Sequence, residues 1–242
     1  MSKILSIVIP AYNEEAYIGR LLELIGEVDM ASLDLNLELI VVNDCSSDRT
    51  AEIVSKIPDV RLINHKTNRG KGRAVRTGLK AVTGDYVLIQ DADLEYDPQD
   101  YLALLPPLLG GEADVVYGSR YLKDVDKGVF TNLINAKHVE QSWAAYLGGR
   151  SISLFAWIFT GRLLTDTVTA YKLFPAPLLC NMELVTAGFE LDHEISCKVL
   201  AQGHRIQEVP IRYYPRTISD GKKIGLKDWF KAIKTFYQFR NG

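Results

Sequence analysis

The sequence predicts an α/β fold: a doubly wound, mostly parallel sheet with helices on both faces. Three observations lead there. Short, continuous apolar runs recur through the first 120 residues, each the length of a buried strand. Stretches with apolar residues at helical spacing separate them, which is the alternation of a parallel sheet with crossover helices. Polar and acidic residues gather directly after the apolar runs, where such sheets bind their ligands.

Taken in order, Leu5-Ser6-Ile7-Val8-Ile9 is the first strand and Pro10 ends it. Glu14 to Val28 carries a helical stripe at Ile18, Leu21, Leu22 and Ile25. Leu37 to Val42 is the second strand, and Ser46-Ser47-Asp48 offers an N-cap for a helix through Ile57. Val60 to Ile63 is the third strand, and Lys71 to Val82 a helix ending near Gly84. Asp85 to Gln90 is the fourth strand; a helix across Leu102 to Leu109 leads to another at Ala113 to Tyr117. Beyond about residue 121 the character changes. Lys123 to His138 is polar and loop-like, Gln141 to Leu164 apolar and aromatic, and Glu190 to Gln202 helical. Ile206 to Tyr214 reads as a strand and Gly225 to Phe239 as a closing amphipathic helix. The whole, residues 1–242, reads as one domain.

Composition narrows the function. With 47% hydrophobic and 24% charged residues the chain is globular, and a net charge of −2 provides no global basic field, so no nucleic-acid partner is expected. Cys45, Cys180 and Cys197 lie far apart and suit reduced thiols of a cytoplasmic protein. His65, His138, His193 and His204 are scattered, which argues against zinc. Met1-Ser2-Lys3 runs straight into a strand without a signal-peptide pattern. Trp143 to Leu164 comes nearest to a membrane span but is broken by Gly148-Gly149-Arg150 and Gly161-Arg162. Its rings, flanked by Lys137, Arg150 and Arg162, suit a pair of interfacial helices at about 135–165 on an anionic membrane; a second small core or a self-association face suits the same pattern. The last helix, about 225–240, offers Trp229, Phe230, Ile233, Phe236, Tyr237 and Phe239 with Lys227, Lys231 and Lys234, as a second membrane contact or a docking helix. No feature of the sequence sets an oligomeric state.

The sharpest chemical signal is Asp91-Ala92-Asp93 at the tip of the fourth strand. Two carboxylates there are costly unless a cation binds them. Mg²⁺ or Mn²⁺ carried by a diphosphate fits, because hard cations take carboxylate and phosphate oxygens. An isolated pair would read as a capped turn, but this one has companions: Pro10 to Glu14, Asn43-Asp44 and Gly118-Ser119-Arg120 follow other strands. The Asp44 carboxylate suits a nucleobase or ribose, and equally a cap on the turn that follows. Asn68-Arg69-Gly70-Lys71-Gly72-Arg73 sets glycines and cations at a helix start, a pattern for phosphate or for a solvated turn. Neither a Walker spacing nor a dinucleotide-binding glycine fingerprint is present.

These stretches, together with Thr83 to Asp93, resemble glycosyltransferase family 2, of GT-A fold, and within it the transferases that load sugars onto dolichyl or polyprenyl phosphate. The resemblance implies a nucleotide-sugar-binding half at 1–120 and an acceptor-side half at 121–242. Pro10, Tyr12, Glu14 and Lys71 would line the donor pocket, and Asp44 would hold the base or ribose. Asp91 and Asp93 would hold the diphosphate through Mg²⁺ or Mn²⁺, with Glu95 as a further ligand, and Arg120 would contact phosphate or sugar. Tyr214-Pro215-Arg216 and Gly221-Lys222-Lys223 are similar to the family's basic C-terminal motif, which puts Arg216 and Lys222 over the acceptor phosphate and the leaving diphosphate. Asn43 departs from the Asp of many relatives.

The expected reaction is an inverting transfer from a nucleotide sugar, of GDP-mannose or UDP-glucose type, to a polyprenyl phosphate at the cytoplasmic membrane face. A phosphate acceptor is already anionic and needs no general base. It needs docking cations, and Lys123, Lys127, Lys137, Arg216, Lys222 and Lys223 are the candidates. Glu194 reads as dipole compensation at a helix start, with Glu190 beside it, and Asp192 as an acceptor-side residue. A glycan or glycolipid hydroxyl as acceptor, and a non-catalytic nucleotide-sugar binder, are the alternatives.

Overall fold

The computed structural model describes residues 2–122, 143–216 and 226–240. Its strands are β1 (Lys3–Ala11), β2 (Leu35–Asn43), β3 (Val60–Asn64), β4 (Tyr86–Ile89), β5 (Val115–Ser119), β6 (Lys172–Pro175) and β7 (Ile206–Pro210). Between and after them run α1 (Ile18–Gly26), α2 (Thr50–Ser55), α3 (Lys71–Leu79), α4 (Tyr101–Leu109), α5 (Trp143–Thr160), α6 (Ala176–Cys180), α7 (Leu191–Ala201) and α8 (Leu226–Gln238). The strands form one sheet in the order β3-β2-β1-β4-β6-β5-β7. All pairings are parallel except the two made by β6, which runs against β4 and β5.

Alternation along each strand distributes the apolar runs to two cores. Leu5, Ile7 and Ile9 of β1 enter the core under α1 and α4, while Val8 enters the core under α3 and α7. Burial on both faces is what makes these strands read as unbroken apolar runs. The expected stripe Ile18, Leu21, Leu22 and Ile25 is the buried side of α1. That helix starts at Ile18 rather than Glu14, because residues 14–17 form a turn and the Glu14 N–H is taken by Thr50 Oγ1. The N-cap position of α2 is Arg49, without a side-chain cap bond, and Asp48 just before it accepts the Thr50 N–H at 2.9 Å.

Helix α3 lies unusually close to the sheet. A Cβ added at Gly78 would come within 2.4 Å of Val8 Cγ1 and 3.3 Å of Val42 Cγ2. Gly78→Ala is therefore expected to lower stability by about 1–3 kcal/mol, the cost of overpacking, read from the urea midpoint at unchanged slope. An unchanged midpoint would show that α3 slides away without cost.

Two expectations change. The strand β6 is unforeseen, its short run enclosed by polar residues and Pro175. The aromatic stretch after residue 141 is not a helix pair: α5 runs unbroken through Gly148 and Gly149. It packs with α7 and α8 around Ile152, Ala156, Cys197, Ala232 and Phe236, and Trp229 Nε1 donates to Ser151 Oγ at 2.8 Å. The inner side of the aromatic stretch is thus a small second core. Its outer side leaves Ile158 60% and Phe230 66% exposed, with Leu154, Trp157 and Tyr237 also in solvent. No helix among the described residues is long and apolar enough to cross a membrane. Residues 135–142 of the expected interfacial segment, and Lys123, Lys127 and Lys137, lie outside the described residues.

Candidate active site

Register brings the strand ends together. Ala11 pairs with Asn43 and Asn43 with Asn64, so β1, β2 and β3 finish at one level, and the acidic residues after β4 follow beside them. The turns that aim these residues are bent: Asn13 (φ 54°), Cys45 (φ 64°) and Leu94 (φ 58°) all adopt the left-handed region. A side chain held there costs about 1–2 kcal/mol, so the surrounding contacts impose the bend. Leu94 stands between Asp93 and Glu95, which both turn toward Arg216.

One cation organises the centre of the crevice. Arg216 donates to Glu14 Oε2 at 3.1 Å and to Asp93 Oδ2 at 3.0 Å, and its backbone N–H donates to Glu95 Oε1 at 2.9 Å. Tyr213 Oη donates to the other Glu95 oxygen at 2.8 Å. The Arg216 Nε is buried without a hydrogen-bond partner, although Glu95 Oε1 stands 3.8 Å away.

A second cluster lies beside it. Lys71 Nζ bridges Asp91 at 2.8 Å and Asp192 at 3.1 Å, and Lys172 Nζ lies 3.5 Å from the other Asp192 oxygen. Lys172 also donates to the Thr169 carbonyl. Burial pushes the carboxyls of Asp91 and Asp93 above the usual range, and neighbouring acids add to it. Burial alone would lower Lys71, yet Asp192 and Asp91 hold it firmly charged, above the ordinary lysine range. Burial raises Asp192 as well, but Lys172 and Lys71 more than offset it and keep the carboxyl below the usual range. Lys172 is fully buried, and burial pulls its ammonium down.

The remaining predicted residues fall into place around these clusters. Tyr12 stands 38% exposed just past β1, and Pro10 is the last residue but one of that strand. Asp44 is buried, and its oxygens receive the backbone N–H groups of Arg69 and Gly70, at 2.9 and 2.7 Å, and contact His65 Nδ1 at 2.6 Å. It therefore anchors the turn before α3. The glycines of that turn serve packing: a Cβ on Gly70 would lie 2.5 Å from the Ala187 carbonyl oxygen, and that oxygen also accepts the Arg73 N–H. The start of α3 is thus covered by residues 186–187, and of the cations there Lys71 enters the crevice. Arg120 is gripped by Asp166 at 2.7 and 2.8 Å and lies over the Tyr213 ring at 4.9 Å. Glu194 accepts the Val185 and Thr186 N–H groups, a loop anchor more than a dipole partner. Lys222 and Lys223 lie outside the described residues.

Asp91, Asp93 and Glu95 do not converge into a cage, and no three His, Cys, Asp or Glu side chains among the described residues do. Asp91 faces Lys71 while Asp93 and Glu95 face Arg216. The donor set nevertheless fits Mg²⁺ or Mn²⁺, which bind through one or two carboxylates and complete their shells with phosphate oxygens and water. Buried carboxylates raised by burial and mutual repulsion gain from such a cation.

Lys172 and Asp166 were not foreseen. Lys172 is the first residue of the reversed strand, pairing with Ile89 of β4, so the antiparallel direction delivers it to the crevice. A lysine inside the apolar run Ala170 to Phe174 was the available signal, since a buried charge needs a partner.

His193, next to Asp192, is buried against the Phe236 ring at 5.0 Å, and burial lowers it to about 4 from an ordinary 6.5. Asp192 opposes that shift, while Lys172 and Lys71 reinforce it. The folded protein holds this imidazole neutral while the unfolded chain protonates it, so stability falls as pH drops from 6.5 toward 4. The expected slope from this group is about 1.4 kcal/mol per pH unit. His193→Leu should flatten the curve between pH 6.5 and 5, and an unflattened curve would refute the assignment.

The family model for glycosyl transferase family 2 matches residues 6–167. The chain is 30% identical to a dolichol-phosphate mannosyltransferase of Pyrococcus furiosus, over 96% of this chain and 62% of that protein. It is 28% identical to a dodecaprenyl-phosphate galacturonate synthase of Rhizobium johnstonii, over 95% and 64% respectively. The chain thus spans less than two thirds of either relative. Among solved structures it superposes on glucosyl-3-phosphoglycerate synthase of Mycobacterium tuberculosis, in complex with Mn²⁺, UDP and glucosyl-3-phosphoglycerate, at TM-score 0.69 and 19% identity, covering 98% of this chain and 80% of that one. That likeness gives the fold, GT-A, and the strand-end acids, their cations and the matched span together place the chain in glycosyl transferase family 2.

Proposed function

We propose that the protein transfers a hexose, with inversion, from a nucleotide sugar to a polyprenyl phosphate. The observation that carries this is the paired arrangement of Asp91 with Lys71 and Asp93 with Arg216 at adjoining strand ends. Acids and cations alternate there, so a leaving diphosphate meets positive charge on both sides. A bound Mg²⁺ or Mn²⁺ would be held by Asp91 and Asp93, with Glu95 in reach of the same corner, and would neutralise the departing diphosphate. Pro10, Tyr12 and Glu14 border the nucleotide side, and Asp44 shapes that side by fixing the turn before α3. Arg216 releases its carboxylates to meet phosphate, a step its planar fork of donors suits. Arg120 and Lys222 are assigned to the same phosphate-binding surface.

The phosphate acceptor is favoured by Asp192. It reads from the sequence as an acceptor-side residue, and two lysines hold it ionised and weakly basic. A hydroxyl acceptor needs a base with a pKa near the working pH; an anionic phosphate attacks without one and is drawn in by Lys172 and Arg216. The named activities of the Pyrococcus and Rhizobium relatives support the same acceptor class. The exposed apolar side chains Trp157, Ile158 and Phe230 then suit peripheral contact with the membrane that holds such a lipid.

The test is turnover with GDP-mannose and UDP-glucose against a short-chain prenyl phosphate and against free sugar acceptors. Transfer to the prenyl phosphate with inverted product is expected. Transfer only to a hydroxyl acceptor overturns the assignment of acceptor, and absence of any transfer overturns the enzymatic reading.

A further inference from the structure

Outside the crevice the strongest charged feature lies on the outer side of α3. Arg73, Arg76 and Lys80 follow one another at intervals of three and four residues along α3 and its C-cap, one stripe on a helix, and Arg69 stands in the turn just before it. They line a groove of about 340 Å³ whose far wall includes Met182 and Leu184. Arg76 pins that wall, donating to the Leu184 carbonyl at 2.6 Å. Arg69, Arg73 and Lys80 are exposed, and no acidic side chain lines the groove.

Four other surface arginines do have acids beside them. Arg20 pairs with Glu23 and Glu27, Arg49 with Glu15, Arg205 with Asp114, and Arg212 with Asp97 and Asp100. Among the described residues the α3 stripe has no such acid. Like charges three and four residues apart on a helix cost a few tenths of a kcal/mol each, so the stripe opposes folding unless an anion occupies it. The groove is also separate from the donor crevice. Lys71 points to Asp91 and Asp192, and the backbone of 186–187 packs over Gly70 and Gly72 at the helix start.

We propose that the α3 groove is a second anion site, binding the phosphate of a small phosphorylated ligand or of a lipid headgroup. Arginine forks take phosphate oxygens in pairs. The volume suits a ligand of sugar-phosphate size, with Met182 and Leu184 as a wall for its uncharged part.

The test uses the full chain without divalent metal. Sodium pyrophosphate is titrated by calorimetry, and phosphatidylcholine vesicles with and without phosphatidylglycerol are tested by co-sedimentation. Wild type is compared with Arg73→Gln/Lys80→Gln, two exposed positions where glutamine keeps the helix. Any binding in the donor crevice is common to both proteins. The double variant is expected to bind about tenfold more weakly, equivalent to about 1.4 kcal/mol. Loss confined to pyrophosphate identifies a soluble ligand, and loss confined to the anionic vesicles a headgroup. A control, Arg20→Gln/Lys56→Gln, removes equal charge elsewhere and should bind as wild type. A loss below threefold in the α3 variant, an equal loss in the control, or no binding of either probe by wild type overturns the proposal.

Discussion

Asp93→Asn is expected to lower kcat by about a thousandfold, the scale on which removal of one electrostatic stabiliser of a developing negative charge acts. Asparagine keeps the shape and removes the charge that a divalent ion needs. The fold should survive. Among the described residues the ion pair of Asp93 is with Arg216, and Arg216 retains Glu14 and Glu95 when Asp93 is neutral. Burial already disfavours the charged carboxyl, so neutralising it removes a desolvation cost along with an ion pair. A binding readout separates the metal from the chemistry. Mn²⁺ with a nucleoside diphosphate at one hundred times its dissociation constant should stabilise wild type by about 2.7 kcal/mol, and the variant should lose most of the manganese-dependent part. Full turnover in the variant would remove the metal from the mechanism. Lost turnover with an intact manganese response would move Asp93 from metal binding to the sugar.

The second large effect is on the fold. Asp166 is completely buried and grips the Arg120 guanidinium through both oxygens. Its loop is locked in turn: Glu208 accepts the Thr165 and Asp166 N–H groups at 2.7 and 2.9 Å. Asp166→Asn leaves a buried guanidinium without its carboxylate and is expected to cost about 3 kcal/mol. For a chain of this size that is a fall of about 10 °C in melting temperature. Denaturation in urea with and without the substitution measures it directly. A loss below about 1 kcal/mol would mean that Arg120 is neutralised elsewhere, which would also weaken its assignment to the phosphate surface.

Much of the site is legible because strand ends carry their own punctuation. Asp91 and Asp93 stand out since charge directly after an apolar run has few structural uses. Glu14, Asp44 and Arg120 stand out by following other such runs. Their partners are a different matter. That Arg216 closes on Glu14 and Asp93 joins residues separated by 202 and 123 positions, and no local spacing encodes such a pair. Asp44 shows the limit from the other side. It reads as a ligand for a base or ribose or as a turn cap, and folding assigns its oxygens to the Arg69–Gly70 turn. The glycines at 70 and 72 read as a phosphate cradle, and the packed segment at 186–187 accounts for them instead.

The α/β class, the parallel strands and the acids at their ends are written in residue order, because local periodicity and burial on both faces leave a direct trace there. Tertiary structure alone decided the reversal of β6, the arrival of Lys172 beside Asp192, and which cation faces which carboxylate. The physical reason is that strand direction and ion pairing are chosen by contacts between segments far apart in the chain. Burial makes those choices compulsory, since a charge removed from water must find its partner wherever the fold places one.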